Sequence, residues 1–202
     1  MPPLAPPGAF PYAWGMVRLI AVVAALALIP SGATAQGYAD EEHDWGVAPS
    51  SNLRRPPYTA PTPREVPGAR VLRTSELRDM LASGERPLLI DVASGEGRLT
   101  IEGAWRIKGA GRGTNFFDPV QAEFARRLSV ITADDKGRPM VLFCVNPLCW
   151  LSYNAALRAV SLGYTRVYWY RGGVEAWRAA GLPTARTPVG PEAGQGTVVR
   201  PK

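Results

Sequence analysis

Residues 141–150 read V-L-F-C-V-N-P-L-C-W and hold both cysteines of the chain, Cys144 and Cys149. Val141–Phe143 is an apolar run typical of a buried strand, and Ser152–Leu162 has helical spacing. A thiol between a strand end and a helix start meets unpaired backbone N–H groups and the positive end of the helix dipole, and both favour the thiolate. The stretch therefore predicts a strand–loop–helix unit with a site for sulfur or electron transfer. The alternative is a structural disulfide, which would stabilise the fold by roughly 2 kcal/mol.

The same alternation of apolar runs and helical patterns extends on both sides of this unit. Further strands are predicted over Ala69–Arg73, Pro87–Val92, Ala104–Ile107 and Arg166–Tyr170, and further helices after a Thr74 or Ser75 cap, after an Asp118 cap and from Val174. This order predicts an α/β domain with a largely parallel central sheet flanked by helices. Ligands of such sheets bind beyond the carboxyl ends of the strands. Because Asp91 and Cys144 both lie at such ends, we expect them to belong to one site.

The first 35 residues have the features of an export signal. Leu19–Ile29 is an uncharged apolar run, and Ala33–Ala35 supplies an Ala-x-Ala cleavage site. Met16, followed by Arg18, is the predicted true start of translation. The apolar run is shorter than the about 20 residues of a membrane span, so we expect a cleaved, periplasmic protein without membrane attachment. An uncleaved anchor is the alternative.

The remaining chain divides by composition into three parts. Residues 36–68 are predicted to be an irregular segment, 69–183 the folded domain and 184–202 a disordered tail. His43, the one histidine, is predicted to be a solvated side chain. It is surrounded by acidic residues that we expect to form an exposed patch: Asp40, Glu41, Glu42 and Asp44.

Charge and motif content exclude several classes of function. The net charge of +6 comes from scattered basic residues rather than a basic stripe with aromatic side chains, so nucleic-acid binding is not expected. Neither zinc-ligand spacing nor a haem attachment motif is present, and no cofactor is predicted. A soft metal such as Cu(I) on the two cysteine thiolates is a minor alternative.

Several motifs resemble those of the rhodanese-like domains. Leu88–Val92 resembles the strand of that family that ends in Asp, and Ile101–Ala104 (I-E-G-A) resembles its I-x-G-A element. The most specific piece is Arg171–Trp177, R-G-G-V-E-A-W, which follows a helix and a strand as in the family. The resemblance extends over Ala69–Pro183 and implies a three-layer α/β fold.

A narrower resemblance is to the periplasmic family called PQQ-dependent catabolism-associated CXXCW motif proteins. It lies in Cys149–Arg158 (C-W-L-S-Y-N-A-A-L-R) and Val167–Tyr170 (V-Y-W-Y). This likeness implies a role beside pyrroloquinoline-quinone-dependent alcohol oxidation, with a quinoprotein dehydrogenase or cytochrome system as the expected partner. The quinone itself is not expected to bind this small domain.

Rhodanese chemistry implies that Cys144 attacks a sulfane sulfur, as in thiosulfate, and holds it as a persulfide, with Asp91 in support. The acceptor would be a small sulfur compound or a partner-protein thiol. Loops of active rhodaneses carry Gly and Arg after the nucleophile, whereas this loop has neither and contains Pro147, which lacks an N–H. The second hypothesis is therefore a thiol–disulfide redox relay, with Cys144 attacking and Cys149 resolving. The third is a rhodanese-like binding or carrier module without turnover.

Overall fold

The computed structural model describes Met1 and residues 39–187. The chain divides into two compact units, Met1–Gly32 and Ala33–Lys202. Of the first unit only Met1 is described, so the predicted export signal lies outside the described residues, and everything below concerns the second unit. Within the described part, no helix combines the length and the apolar character needed to cross a bilayer.

Five parallel strands form the central sheet, as the alternating pattern predicts. They are β1 (Arg70–Leu72), β2 (Leu88–Asp91), β4 (Trp105–Arg106), β5 (Met140–Phe143) and β6 (Val167–Tyr170), in the order β1-β6-β5-β2-β4. The inner strands β2 and β5 are buried at every position, as expected for strands covered on both faces. The predicted α/β fold is confirmed.

A second sheet of two antiparallel strands was not predicted. It pairs β3 (Leu99–Ile101) with β7 (Thr184–Arg186). The prediction that the tail is disordered from residue 184 is therefore wrong at its start; residues 188–202 lie outside the described part. The strand β7 forms because its backbone pairs with β3, some 85 positions earlier. The Trp177 indole N–H also donates to the Pro183 carbonyl (2.8 Å) just before β7.

Within residues 39–187, four α-helices cover the two faces of the central sheet, and Ala39–Glu41 forms a short 3-10 helix. They are α1 (Thr74–Ala82), α2 (Pro119–Thr132), α3 (Trp150–Ser161) and α4 (Gly173–Ala179). The predicted start of α2 is confirmed, since Asp118 caps it by accepting the Gln121 N–H (2.9 Å) and Pro119 is the first helical residue. The cap of α1 differs from the prediction because Thr74 is the first residue of the helix, and its N–H is bound by the carboxylate of Glu41 (2.9 Å).

The core consists of one apolar cluster on each face of the sheet. Alternate residues of β5 and of the position after it supply both clusters: Leu142 and Cys144 lie on the side of α2 and α3, and Val141 and Phe143 on the side of α1 and α4. Helix α3 is buried from Trp150 through Ala159. The carboxyl end of β5, where the cysteine loop begins, is therefore enclosed on both faces.

The irregular segment before the domain is fixed to it by specific contacts. Residues 42–68 form neither a helix nor a strand of either sheet, as their composition predicts. Leu53, Thr62 and Val66 of this segment are nevertheless buried. His43 is exposed as predicted, but Glu41 is buried rather than part of an exposed acidic patch. Burial raises the pKa of Glu41, although the hydrogen bonds from Thr74 act in the opposite direction.

Candidate functional site at the cysteine loop

A disulfide bond joins Cys144 to Cys149, with their Cα atoms 6.2 Å apart. Cys144 follows the last residue of β5, and Cys149 occupies the N-cap position of α3. The sequence placed both residues in one loop, and the structure brings their sulfur atoms into a covalent bond. While this bond is closed, neither sulfur can act as a thiolate ligand for a soft metal. Among the described residues, no group of three or more His, Cys, Asp or Glu is arranged to hold a metal ion.

The two cysteines differ in accessibility. Cys144 is 2% exposed and packs in the core cluster on the α3 side, whereas Cys149 is half-buried at the protein surface. Cys149 is also the N-cap residue of the twelve-residue helix α3, and at this position unpaired N–H groups and the helix dipole stabilise a thiolate. Both its accessibility and its position at the helix N-terminus therefore favour Cys149 over Cys144 as the reactive sulfur.

The amide groups of the loop are bound by acceptors inside the protein. Asn146 accepts the Leu148 N–H on its side-chain oxygen (3.0 Å) and the Cys149 N–H on its carbonyl (3.1 Å). The Trp150 N–H donates to the Tyr58 carbonyl (2.9 Å), and Pro147 has no N–H. At positions 147–150 the loop thus has no amide left to form an anion-binding nest around an outer sulfur.

A strap formed by residues 58–62 lies along the cysteine loop. Ala60 donates its N–H to the Leu148 carbonyl (2.9 Å), and the Trp150 indole N–H donates to the Pro61 carbonyl (3.1 Å). The hydroxyl of Thr62 donates to the Pro147 carbonyl (2.5 Å). Sequence reasoning assigned this segment no part in the site, because its contacts span almost 90 positions of chain.

Arg171 holds the strap from the end of β6. It is 2% exposed, and its Nε donates to the Thr62 hydroxyl (3.2 Å), its Nη1 to the Glu41 carbonyl (2.8 Å) and its Nη2 to the His43 carbonyl (2.9 Å). The guanidinium also lies over the Trp45 ring, 4.7 Å from its centroid. The sequence analysis quoted Arg171 only as part of a motif; a charged residue directly after a buried strand was the available signal.

The start of α4 binds the backbone at the beginning of the cysteine loop. Val174 donates its N–H to the Cys144 carbonyl (3.1 Å), and Glu175 donates its N–H to the Val145 carbonyl (2.9 Å). Gly173 has a φ of +63°, and a Cβ added there would lie 2.6 Å from the Cys144 carbonyl oxygen. The R-G-G turn therefore needs glycine at this position so that α4 can approach the cysteine backbone.

Asp91 lies at the same edge of the sheet, but its contacts are within its own loop. It pairs in register with Phe143, the residue before Cys144. Its carboxylate, 1% exposed, accepts from Arg98 Nη2 (2.6 Å) and from the Thr100 hydroxyl (2.5 Å). These contacts hold Asp91 as an anchor for the loop after β2, and its role in support of the cysteines stays a prediction.

Residues 73–180 match the model of the family described as the rhodanese-like domain. This chain belongs to that family. The matched range of this rhodanese-like domain includes both cysteines, Asp91 and the R-G-G turn, and the role of Cys144 as a nucleophile stays a prediction. The search among curated proteins found no matching relative.

Solved structures similar to this rhodanese-like domain include three sulfurtransferases. One is thiosulfate sulfurtransferase from Pseudomonas aeruginosa (17% identity, TM-score 0.45), with 60% of this chain covering 21% of that protein. Another is a human single-domain sulfurtransferase (26% identity, TM-score 0.38; 55% of this chain, 95% of that one). The third is the polysulfide-sulfur transferase homodimer from Wolinella succinogenes (16% identity, TM-score 0.41; 58% of this chain, 79% of that one). Membership of the family rests on the match over residues 73–180.

Proposed function

We propose that this rhodanese-like protein exchanges electrons with partner thiols through Cys144 and Cys149 as a dithiol–disulfide couple. The observation that carries the proposal is the bond between the two cysteines of the chain, in the loop where the resemblance to rhodanese-like domains implies a persulfide. The internal hydrogen bonds of the loop support it, because they leave no cradle at positions 147–150 for an outer sulfur. A half-buried sulfur at a helix N-terminus is the kind of group that exchanges disulfides.

The exchange conserves atoms and electrons in two steps. A partner thiolate attacks the Cys149 sulfur, the Cys144–Cys149 bond breaks, and Cys144 leaves as a thiolate that takes up a proton. A second partner thiolate then attacks the partner's own sulfur in the mixed disulfide and releases Cys149. The partner is oxidised to a disulfide and this protein is reduced to a dithiol; the reverse direction oxidises the protein. The sequence analysis expected Cys144 to react with the partner and Cys149 to resolve the mixed disulfide. The two roles are reversed here, because the buried Cys144 is poorly placed to meet a macromolecular thiol.

Single-cysteine variants test the proposed order of the two thiols. In Cys144→Ser the accessible Cys149 remains, and in Cys149→Ser the buried Cys144 remains. We expect an aromatic disulfide reagent to modify the reduced Cys144→Ser variant at least tenfold faster than the Cys149→Ser variant. Guanidinium-unfolded samples of both variants are the control and should react at equal rates. A faster reaction of folded Cys149→Ser would support Cys144 as the attacking group.

Sulfur transfer is the second candidate, and membership of the rhodanese-like family favours it. Here the Cys144 thiolate would attack the outer sulfur of thiosulfate, forming a persulfide and releasing sulfite. Cys149 would then attack the Cys144 sulfur, releasing hydrosulfide and closing the disulfide. This route therefore consumes the dithiol and needs a reductant, such as a partner dithiol, for each turnover.

Intact mass separates the two candidates. The reduced protein is incubated with thiosulfate, and sulfite and sulfide are assayed in parallel. For the redox couple, we expect the mass to fall by two hydrogens without sulfite release. This loss should occur only when an oxidised partner or glutathione disulfide is present. Stoichiometric release of sulfite would establish sulfur transfer instead. In that case the Cys149→Ser variant should retain one added sulfur, and the Cys144→Ala variant should gain none. If neither reaction occurs, the protein acts as a binding or carrier module.

We further propose that the protein is exported and serves a pyrroloquinoline-quinone-dependent alcohol oxidation system in the periplasm. The support is the resemblance of Cys149–Arg158 to the CXXCW motif proteins and the predicted signal over residues 1–35. An oxidising compartment suits a protein whose two cysteines are paired. Cell fractionation with N-terminal sequencing tests the location: a periplasmic chain that begins at Gln36 is expected, and a cytoplasmic chain that retains Met16 contradicts it.

A further inference from the structure

A cavity of about 360 Å³ opens between the turn that follows β4 and the first half of α2. Its lining includes neither cysteine, and the mechanism proposed above does not use it. Its volume corresponds to about a dozen water molecules and falls within the ordinary range for small-molecule sites. The residues that line the cavity determine which class of ligand it can bind.

The floor of the cavity is apolar, and the charged residues of its lining are three cations, Lys108, Arg112 and Arg127, and one anion, Glu123. Ile107, Ala110 and Phe124 are at most 3% exposed and form the floor. Lys108 and Arg112 are exposed at the rim. An apolar floor below positive charges complements a molecule that has both an apolar body and an anionic group.

Arg127 contributes a buried guanidinium to the lining. The residue is 8% exposed, and among the described residues its one hydrogen bond runs from Nε to Glu123 (2.6 Å), which leaves Nη1 and Nη2 uncommitted. Glu123 also accepts from Arg126, and the two arginines hold the pKa of its carboxyl below the ordinary value. One carboxylate is therefore shared by two guanidinium groups, and the cavity keeps an excess of positive charge.

The wall opposite α2 is held by hydrogen bonds from α3. Asn154 Nδ2 donates to the Gly111 carbonyl (2.8 Å), and Arg158 Nη2 donates to the Arg112 carbonyl (2.6 Å). Both donors are fully buried. The turn is thus fixed without a ligand, and a preformed cavity binds without the cost of ordering its walls.

We propose that this cavity binds a small organic carboxylate, with the apolar body of the ligand over Phe124 and its carboxylate on Arg127. A planar guanidinium with free terminal nitrogens can bind a carboxylate with two hydrogen bonds. The ligand class follows from the combination of the apolar floor with this group, because an inorganic anion would leave the floor unfilled. The inference is independent of the proposed redox function.

Calorimetric titration of the oxidised full-length protein with octanoate tests the proposal. We expect one octanoate per chain, and at least tenfold weaker binding of acetate, which lacks the body, and of 1-octanol, which lacks the charge. Arg127→Gln should weaken octanoate binding at least tenfold. Arg126→Gln is the matched control, since Arg126 shares Glu123 but does not line the cavity, and should change the affinity less than twofold.

A second variant keeps the test independent of the folding of Arg127→Gln. Val120→Trp fills the cavity from the half-buried Val120 in the first turn of α2 and should abolish octanoate binding while the thermal unfolding midpoint stays near that of the wild type. The proposal is overturned if octanoate does not bind, if acetate binds as tightly, or if Arg126→Gln and Arg127→Gln weaken binding equally. Undiminished binding to a folded Val120→Trp variant would also overturn it.

Discussion

Replacing Asp118 by Asn should destabilise the protein strongly at neutral pH and hardly at all near pH 2. The Asp118 carboxylate accepts from Arg158 Nη2 (2.9 Å), from the Gln121 N–H (2.9 Å) and from the Thr114 N–H (2.9 Å). The side chains of Asp118 and Arg158 are 12% and 0% exposed. This ion pair ties the start of α2 to the last turn of α3, so its charge affects the packing of both helices.

The magnitude follows from the ionisation of the carboxyl group. Burial acts to raise the pKa of Asp118, but the hydrogen bond from Arg158 and those from three backbone N–H groups outweigh it and lower the pKa from 3.8 to about 2. A group with a depressed pKa stabilises the folded state above its unfolded value, and this contribution is lost as the pH falls through the folded value. The ionised carboxylate is thus worth about 2 kcal/mol above pH 5. Asn keeps the cap but leaves the buried Arg158 without a counter-charge, so we expect a loss of about 2–4 kcal/mol.

Urea unfolding of the wild type and of Asp118→Asn between pH 7 and pH 2 measures this effect. The difference in unfolding free energy should be constant from pH 7 to pH 5 and decline through pH 4 to pH 2. Glu65→Gln, a neutralisation of an exposed carboxylate, is the control and should change stability by less than about 0.5 kcal/mol. A difference between wild type and Asp118→Asn that is equally large at pH 2 and at pH 7 would refute the reasoning.

Two further predictions concern close packing and the strap. Gly111→Ala should cost about 2–3 kcal/mol in thermal or urea unfolding, because the new Cβ would lie 1.9 Å from the Leu151 carbonyl oxygen. Gly137→Ala, whose nearest contact is a side-chain oxygen at 3.2 Å, should cost less than about 1 kcal/mol, and equal losses in the two variants would contradict the packing argument. Arg171→Met should release residues 41–62 and accelerate their proteolysis by trypsin at least tenfold, as followed by mass spectrometry. Unchanged cleavage would show that the remaining contacts hold the strap by themselves.

The central part of the fold could be predicted because its signals are local. The apolar runs around Leu88–Asp91 and Met140–Phe143 are long enough to mark buried strands, and the Asp118–Pro119 pair marks the start of α2. Two elements carried no such signal. The strand β7 depends on backbone pairing with β3, and the first N–H of α1 is bound by Glu41, which lies 33 residues upstream. Neither partner can be identified from spacing, because the contact is made across the fold.

The sequence by itself determined the family-level architecture and the placement of both cysteines in one loop between β5 and α3. Strand and helix patterns and the position of a thiol in the chain are local properties, so they can be read from consecutive residues. Only the tertiary structure decided that the sulfur atoms are bonded, that Cys149 is the accessible one and that a strap anchored by Arg171 uses the loop's hydrogen-bonding groups. Burial and hydrogen-bond partners depend on which distant segments meet in three dimensions, and that information is not carried by the spacing of residues along the chain.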